Sequence, residues 1–140
     1  MVLRLFSAII NKRLTNACSI NKRQKGFTTA PGCSEKLLLV EGVRKISKEA
    51  RSPLAMVFID LAKAFDSISH EHRKETLVQR RIDPGIVEMI NDSYRDSSTR
   101  VQTSNGYSGK IAIEIGVKQG DPLSPLLFNL AIDPLLSNYT

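Results

Sequence analysis

The stretch VFIDLAKAFDSISHE, residues 57–71, ends a run of three apolar residues, Val57, Phe58 and Ile59, on a charged one, Asp60. Taking an ionised carboxylate out of water without a partner is costly. Asp60 therefore calls for a cationic partner or an open edge. Residues 54–60, LAMVFID, follow Pro53 and precede a turn, and their composition predicts a short buried strand. A carboxylate at a strand's end, beside a tight turn, is placed to hold a divalent cation at a sheet edge. Mg²⁺ takes oxygen ligands and is commonly held by one or two carboxylates plus substrate phosphates. The same position also suits an aspartate that merely caps the following turn.

On either side the apolar spacing predicts helices. Leu3, Phe6, Ile10 and Leu14 fall at helical spacing, with Arg4, Lys12 and Arg13 outside that stripe. After the breakers Gly26, Pro31 and Gly32, a second helix places Leu39, Val40, Val43 and Ile46 on one face and Arg44, Lys45 and Lys48 on the other. Two more helices are predicted from Glu71 to Arg81 and from Pro84 to Arg95, the latter with Asp83 as N-cap and Pro84 at its first position. Asn105-Gly106 marks a hairpin between residues 100–103 and 110–115, and Ile111, Ile113 and Ile115 alternate with Ala112 and Glu114. A last helix carries Leu123, Leu126, Leu127, Leu130 and Ala131, with a kink expected at Pro134. The pattern is that of one α/β (α+β) unit without repeats or linkers.

Of the 140 residues, 41% are hydrophobic and 24% charged, a globular balance and not that of a disordered chain. The net charge of +6 favours a polyanionic partner, nucleic acid or an anionic membrane surface, and basic clusters occur at Lys12-Arg13, Lys22-Arg23 with Lys25, and Arg80-Arg81. A solvated basic surface accounts for these equally well. Cys18 and Cys33 form neither a disulfide framework nor a metal-binding spacing, which fits a reducing intracellular compartment. No apolar run approaches the roughly 20 residues needed to span a bilayer. The first residues, basic and free of acids before Glu35, resemble a mitochondrial presequence in composition, but they run into the domain without a visible cleavage boundary.

A second stretch, GVKQGDPLSPLLFNL at residues 116–130, offers a lysine, an amide and two glycines just before a helix start. Backbone N–H groups in such a loop suit phosphate or sugar oxygens. Asp121-Pro122 and Ser124-Pro125 are equally ordinary helix-start dipeptides. The GxxxxGK[ST] pattern of nucleotide hydrolases is absent.

Taken in order, IDLAKAFDSISHE and GVKQGDPLSPLLFNLAIDPLL closely resemble the palm of reverse transcriptases, in particular those of non-LTR (LINE-like) retrotransposons. QKGFTTAPGCSEK (24–36) and residues 90–120 resemble segments those enzymes carry in the same positions, and VLRLFSAIINKRLT (2–15) resembles the helix after their first fingers motif. The resemblance implies an incomplete polymerase palm sheet packed with helices, with about residues 1–53 on the fingers side and about 54–140 forming the first half of the palm. It implies RNA-directed DNA polymerase chemistry: two Mg²⁺ (or Mn²⁺) ions about 3.5–4 Å apart clamp the attacking and leaving oxygens. By the same resemblance Asp60 is the first metal-binding aspartate and catalytic residue, and the Leu61 carbonyl helps hold the metal on the triphosphate side. Lys63 and Ala64 meet the incoming nucleotide through their amides. Phe65 stands at the steric gate that crowds a ribose 2′-OH, a place that also suits a core aromatic. Gln119 and Gly120 contact the nucleotide and template side of the pocket, and Lys118 reaches the nucleic-acid backbone or solvent. Asp66 is expected to make a structural hydrogen bond, and His70 and His72 to lie on the surface.

The resemblance also implies partners: an RNA template, a DNA primer and dNTPs, no membrane, and a nuclear location. Family members carry an aromatic-x-Asp-Asp turn beyond the last helix, which supplies the other metal carboxylates. Here no two acidic residues are adjacent, and Asp121 and Asp133 are the only acids after Glu114. The expectation is a fragment that does not polymerise DNA by itself. Group II intron maturases share the palm logic. Two other readings stay open at this point: a basic remnant that binds RNA without catalysis, and a pseudogene product whose uncovered sheet edge invites aggregation.

Overall fold

The computed structural model describes residues 2–29 and 32–137. Four of its five helices share one core. Helix α1 (Val2–Ala17) buries Ile10 and Leu14 and leaves Leu3 and Leu5 in solvent, so only the later part of its predicted stripe packs. Helix α4 (Pro84–Tyr94) buries Val87, Ile90 and Tyr94, a spacing of three and four residues that keeps one face inward. Its start is the predicted one: Asp83 Oδ1 accepts from the Gly85 and Ile86 amides, with Pro84 at the first position. Helix α3 (His70–Gln79) starts with Ser69 Oγ accepting from the His72 amide and packs against both α4 and α5.

Helix α5 (Ser124–Ser137) is apolar nearly all round and lies at the centre, with Leu126, Leu127, Phe128, Leu130 and Ala131 buried. It continues through Pro134. Three of its polar side chains are buried with it: Ser124, Asn129 and Asp133. Asp133 accepts from the Asn21 amide at 2.7 Å and pairs with Arg80. Arg80 Nη1 also donates to the Ser19 carbonyl at 2.6 Å. Through this pair α5 and the residue after α3 hold down the loop that leaves α1.

Helix α2 (Cys33–Glu49) forms where the apolar periodicity places it, yet it buries no residue. Its Leu37, Leu38, Leu39, Val43 and Ile46 are exposed, and the Lys25–Glu35 ion pair, 2.8 Å, ties its first turn to the preceding loop. Pro31, one of the predicted breakers, lies outside the described residues.

The strand expected over residues 54–60 does not form. That segment has no strand pairing, and Val57, Phe58 and Ile59 are 85%, 79% and 85% exposed. An apolar run becomes a buried strand only where an edge accepts its N–H and C=O groups and a layer covers its face. Among the described residues no strand pairs with this segment. The expected palm sheet is accordingly reduced to two antiparallel ladders: β1 (Ser98–Thr99) with β4 (Ile111–Ala112), and β2 (Gln102–Thr103) with β3 (Gly106–Tyr107). Together they make an interrupted hairpin. Its turn falls at Ser104–Asn105, one residue before the predicted Asn-Gly pair, because Gly106 pairs with Thr103. Thr103 Oγ1 accepts from the Asn105 amide and donates to the Gly106 carbonyl, which fixes that register. The isoleucine face is present but uncovered: Ile111, Ile113 and Ile115 are all exposed.

Candidate functional site

The two stretches that stood out in the sequence meet in space. Lys63, at φ 49°, turns the chain into a single 3₁₀ turn, Ala64–Asp66, closed by the Asp66 amide donating to the Lys63 carbonyl at 2.8 Å. The 116–121 loop lies directly on this turn. The Gly116 amide donates to the Ile68 carbonyl at 2.7 Å and the Val117 amide to the Phe65 carbonyl at 2.8 Å, with Ser69 and Ile115 bridging antiparallel beside them. Gly116 has φ 91°, and a Cβ there would sit 3.0 Å from Asp66 Cα and 3.1 Å from the Phe65 carbonyl oxygen. Only glycine fits that approach. One residue beyond Lys118, Gln119 Nε2 donates to Asp66 Oδ1 at 3.2 Å. Asp66 thus makes the structural bond expected of it, but to the other loop and not to its own helix start.

Phe65 is half-buried in a row of aromatic rings. Its centroid lies 5.1 Å from that of Phe128 on α5 and 5.6 Å from that of Phe27. Phe27 belongs to the loop after α1, and a buried amide seats that loop: Asn129 Nδ2 donates to the Gly26 carbonyl at 2.9 Å, and Gln24 Nε2 donates to Asn129 Oδ1 at 3.1 Å. Asn129 was not among the sequence candidates. The signal was available as the one amide in the apolar run LLFNLAI.

Beneath the loop lies a cationic cluster that the sequence also hid. The Arg73 guanidinium, 2% exposed, stacks 3.7 Å over the Tyr94 ring, and its Nε and Nη1 find no partner among the described residues. Tyr94 Oη accepts from the Lys118 amide at 3.4 Å. Lys118 Nζ lies 4.8 Å from the same ring and donates to the Ser93 carbonyl. The lysine expected at a nucleic-acid backbone or in solvent is therefore engaged by the protein here. His70, expected on the surface, is half-buried, with its ring edge against Tyr94 and Nε2 3.2 Å from the Gly116 carbonyl. A carbonyl can only accept, so Nε2 carries the proton. Burial, and then the charge of Arg73, holds the His70 pKa below its ordinary value, against the opposing Gly116 bond. His72 is exposed, yet its Nε2 lies 2.9 Å from the Ala131 carbonyl.

Asp60 and Leu61 stand apart from this contact. Both are exposed, and the Asp60 carboxylate has no hydrogen-bond or ion-pair partner among the described residues. The amides of Lys63 and Ala64 likewise donate to no acceptor among them. Gly120, at φ 81°, faces open space. No group of three or more His, Cys, Asp or Glu among the described residues gathers as a metal cluster. The donors present do not fit a two-metal centre: one carboxylate and one carbonyl leave most of the coordination unfilled.

Comparison with known proteins gives concordant matches. The family described as "Reverse transcriptase (RNA-dependent DNA polymerase)" matches residues 1–140. The chain is 39% identical over 134 residues to the retrovirus-related Pol polyprotein from type-1 retrotransposable element R2 of Popillia japonica, covering 95% of this chain and 19% of that protein. It is 34% identical over 136 residues to the Pol polyprotein from type-2 retrotransposable element R2DM of Drosophila melanogaster, covering 97% of this chain and 13% of that one. The "Transposon TX1 uncharacterized 149 kDa protein" of Xenopus laevis is 29% identical over 110 residues. The chain thus spans less than a fifth of the length of these curated relatives.

Proposed function

The chain belongs to the reverse transcriptase (RNA-dependent DNA polymerase) family, as the resemblance in its sequence implied, and from that premise we propose that it is the part of an R2-like retrotransposon polymerase that forms one side of the nucleotide pocket. The observation that carries this reading is the contact of the 63–69 turn with the 116–120 loop, which brings Phe65, Asp66 and Gln119 to one place. About residues 1–53 lie on the fingers side and about 54–140 in the palm. In this reading α1 crosses to the palm side and shares its core, with Ile10, Leu14 and Cys18 packed in one cluster with α5.

Enzymes of this family generally use divalent metal ions. Asp60 would supply one carboxylate and Leu61 a carbonyl toward such an ion. An exposed carboxylate without a protein partner, beside two amides without acceptors, suits that role, since each keeps its bonding capacity for an incoming ligand. The Lys63 and Ala64 amides face the triphosphate and the Phe65 ring faces the sugar. Gln119 and Gly120 close the template side, where a φ of 81° lets the backbone at Gly120 come close to a ligand. Lys118 meets the nucleic-acid backbone on this reading and must exchange the Ser93 carbonyl for a phosphate to do so. The partners are an RNA template, a DNA primer and dNTPs, and the place of action is the nucleus. No helix among the described residues is long and apolar enough to cross a membrane.

The test is primer extension on an RNA template by the complete polypeptide that the reading frame encodes, with Mg²⁺ or Mn²⁺. DNA complementary to the template, lost in Asp60→Ala, is the expected result. Extension that survives Asp60→Ala sinks the assignment of Asp60, and no extension by the wild type sinks the reading.

A further inference from the structure

Three observations converge on Phe27, a residue to which no role has been given. Its side chain is 67% exposed although it is a large aromatic. Its backbone sits at φ 54°, in the left-handed region that non-glycine residues seldom occupy. Its ring nonetheless lies 5.6 Å from that of Phe65, on a tilt of 42°. An exposed aromatic held in a strained conformation against another ring needs something to hold it.

The holding element is a buried amide on α5. The loop before Phe27 is closed by Gln24 Oε1 accepting from the Gly26 amide at 3.0 Å. Asn129, 1% exposed on α5, then takes both ends of that loop, donating to the Gly26 carbonyl and accepting from Gln24 Nε2. A buried amide bonded on both sides is expensive to displace, because either partner is left unsatisfied. One residue earlier on the same helix, Phe128 packs on Phe65 at 5.1 Å. Helix α5 therefore sets both neighbours of Phe65, one directly through Phe128 and one through the Asn129 clamp on the Phe27 loop.

We infer that Phe27 is a positioning residue for sugar selection: clamped by Asn129, it fixes the Phe65 ring on the side away from Phe128. This rests on the proposed reading of Phe65 as the ring that faces the nucleotide sugar. Phe65 is only half-buried, and among the described residues Phe27 and Phe128 are the aromatic rings that flank it. A gate that rotates crowds the 2′-OH less. Phe27 touches no reacting atom in this scheme.

The test uses the complete encoded polypeptide and compares ribonucleotide with deoxyribonucleotide incorporation on an RNA template for wild type, Phe27→Ala, Phe27→Tyr, Phe65→Ala and the double variant Phe27→Ala/Phe65→Ala. Loss of one aromatic contact is expected to raise the ribonucleotide-to-deoxyribonucleotide ratio of kcat/KM roughly three- to ten-fold in Phe27→Ala. Phe27→Tyr keeps the ring and restores the wild-type ratio. Phe27→Ala adds nothing further once Phe65 is alanine, a non-additivity that a general loss of stability does not produce. An unchanged ratio in Phe27→Ala, with Phe65→Ala raising it, overturns the inference alone. An unchanged ratio in Phe65→Ala, or no extension by the wild type, overturns the underlying reading and the inference with it.

Discussion

Gln119 Nε2 donates to Asp66 Oδ1 across 3.2 Å, joining two loops 53 positions apart in the chain. Both side chains are exposed, so this bond fastens the rim of the loop contact more than its base. The base is made of backbone: Gly116 to Ile68 and Val117 to Phe65. A double-mutant cycle of Asp66→Ala and Gln119→Ala is expected to give a coupling of no more than about 1 kcal/mol, as exposure weakens such a bond. Chemical denaturation of the four proteins measures it, and a coupling of several kilocalories places the bond in the wrong part of the structure.

Gly116 is the harder constraint. Its positive φ and the 3.0 Å approach of a Cβ to Asp66 Cα leave an alanine no relaxed position. Gly116→Ala should destabilise the chain by about 1–3 kcal/mol, and Gly109→Ala, where nothing lies within 4 Å of a Cβ, by much less. Equal denaturation midpoints for the two variants contradict this.

His70 gives the loop contact a pH dependence. Its pKa in the fold lies below the ordinary 6.5, first because of burial and then because Arg73 is near, with Lys118 adding a smaller push in the same direction. The unfolded chain therefore takes up this proton at a higher pH than the folded one. The site's contribution to stability is complete above about 6.5 and is lost as pH falls through the lower, folded value. Thermal melts from neutral pH downward should show a steeper loss for wild type than for His70→Gln. Parallel curves would falsify the assignment.

The helical core was largely legible in the sequence, and the strand was not. Asp83 and Pro84 announced α4, because capping is settled within one segment. Residues 57–59 carry an equally clear strand composition, but strand formation depends on a partner elsewhere in the chain, which composition does not reveal. For the site, the two loops were legible and their meeting was not. Asn129 escaped because a single amide in an apolar helix looks the same whether it clamps a distant loop or points to solvent, and Arg73 because an arginine among the charged residues of α3 reads as solvated.

The uncovered apolar surfaces have a measurable consequence. The α2 face with Leu37, Leu38 and Ile46, the run Val57–Ile59 and the Ile111–Ile115 edge are all exposed. The 140 residues by themselves should bind ANS and self-associate, and Val57→Asp or Ile59→Lys should reduce both without lowering the denaturation midpoint. A monodisperse monomer at high concentration that leaves ANS dark runs against this.

On the proposed reading, Asp60 is free of protein partners because it serves nucleotide chemistry. The direct measurement pairs RNA-templated primer extension with equilibrium unfolding for wild type and Asp60→Asn of the complete encoded polypeptide. An exposed carboxylate without partners predicts unfolding free energies equal within about 0.5 kcal/mol, together with extension reduced by two or more orders of magnitude. Extension at the wild-type rate in Asp60→Asn, or activity lost only in step with stability, would contradict the account.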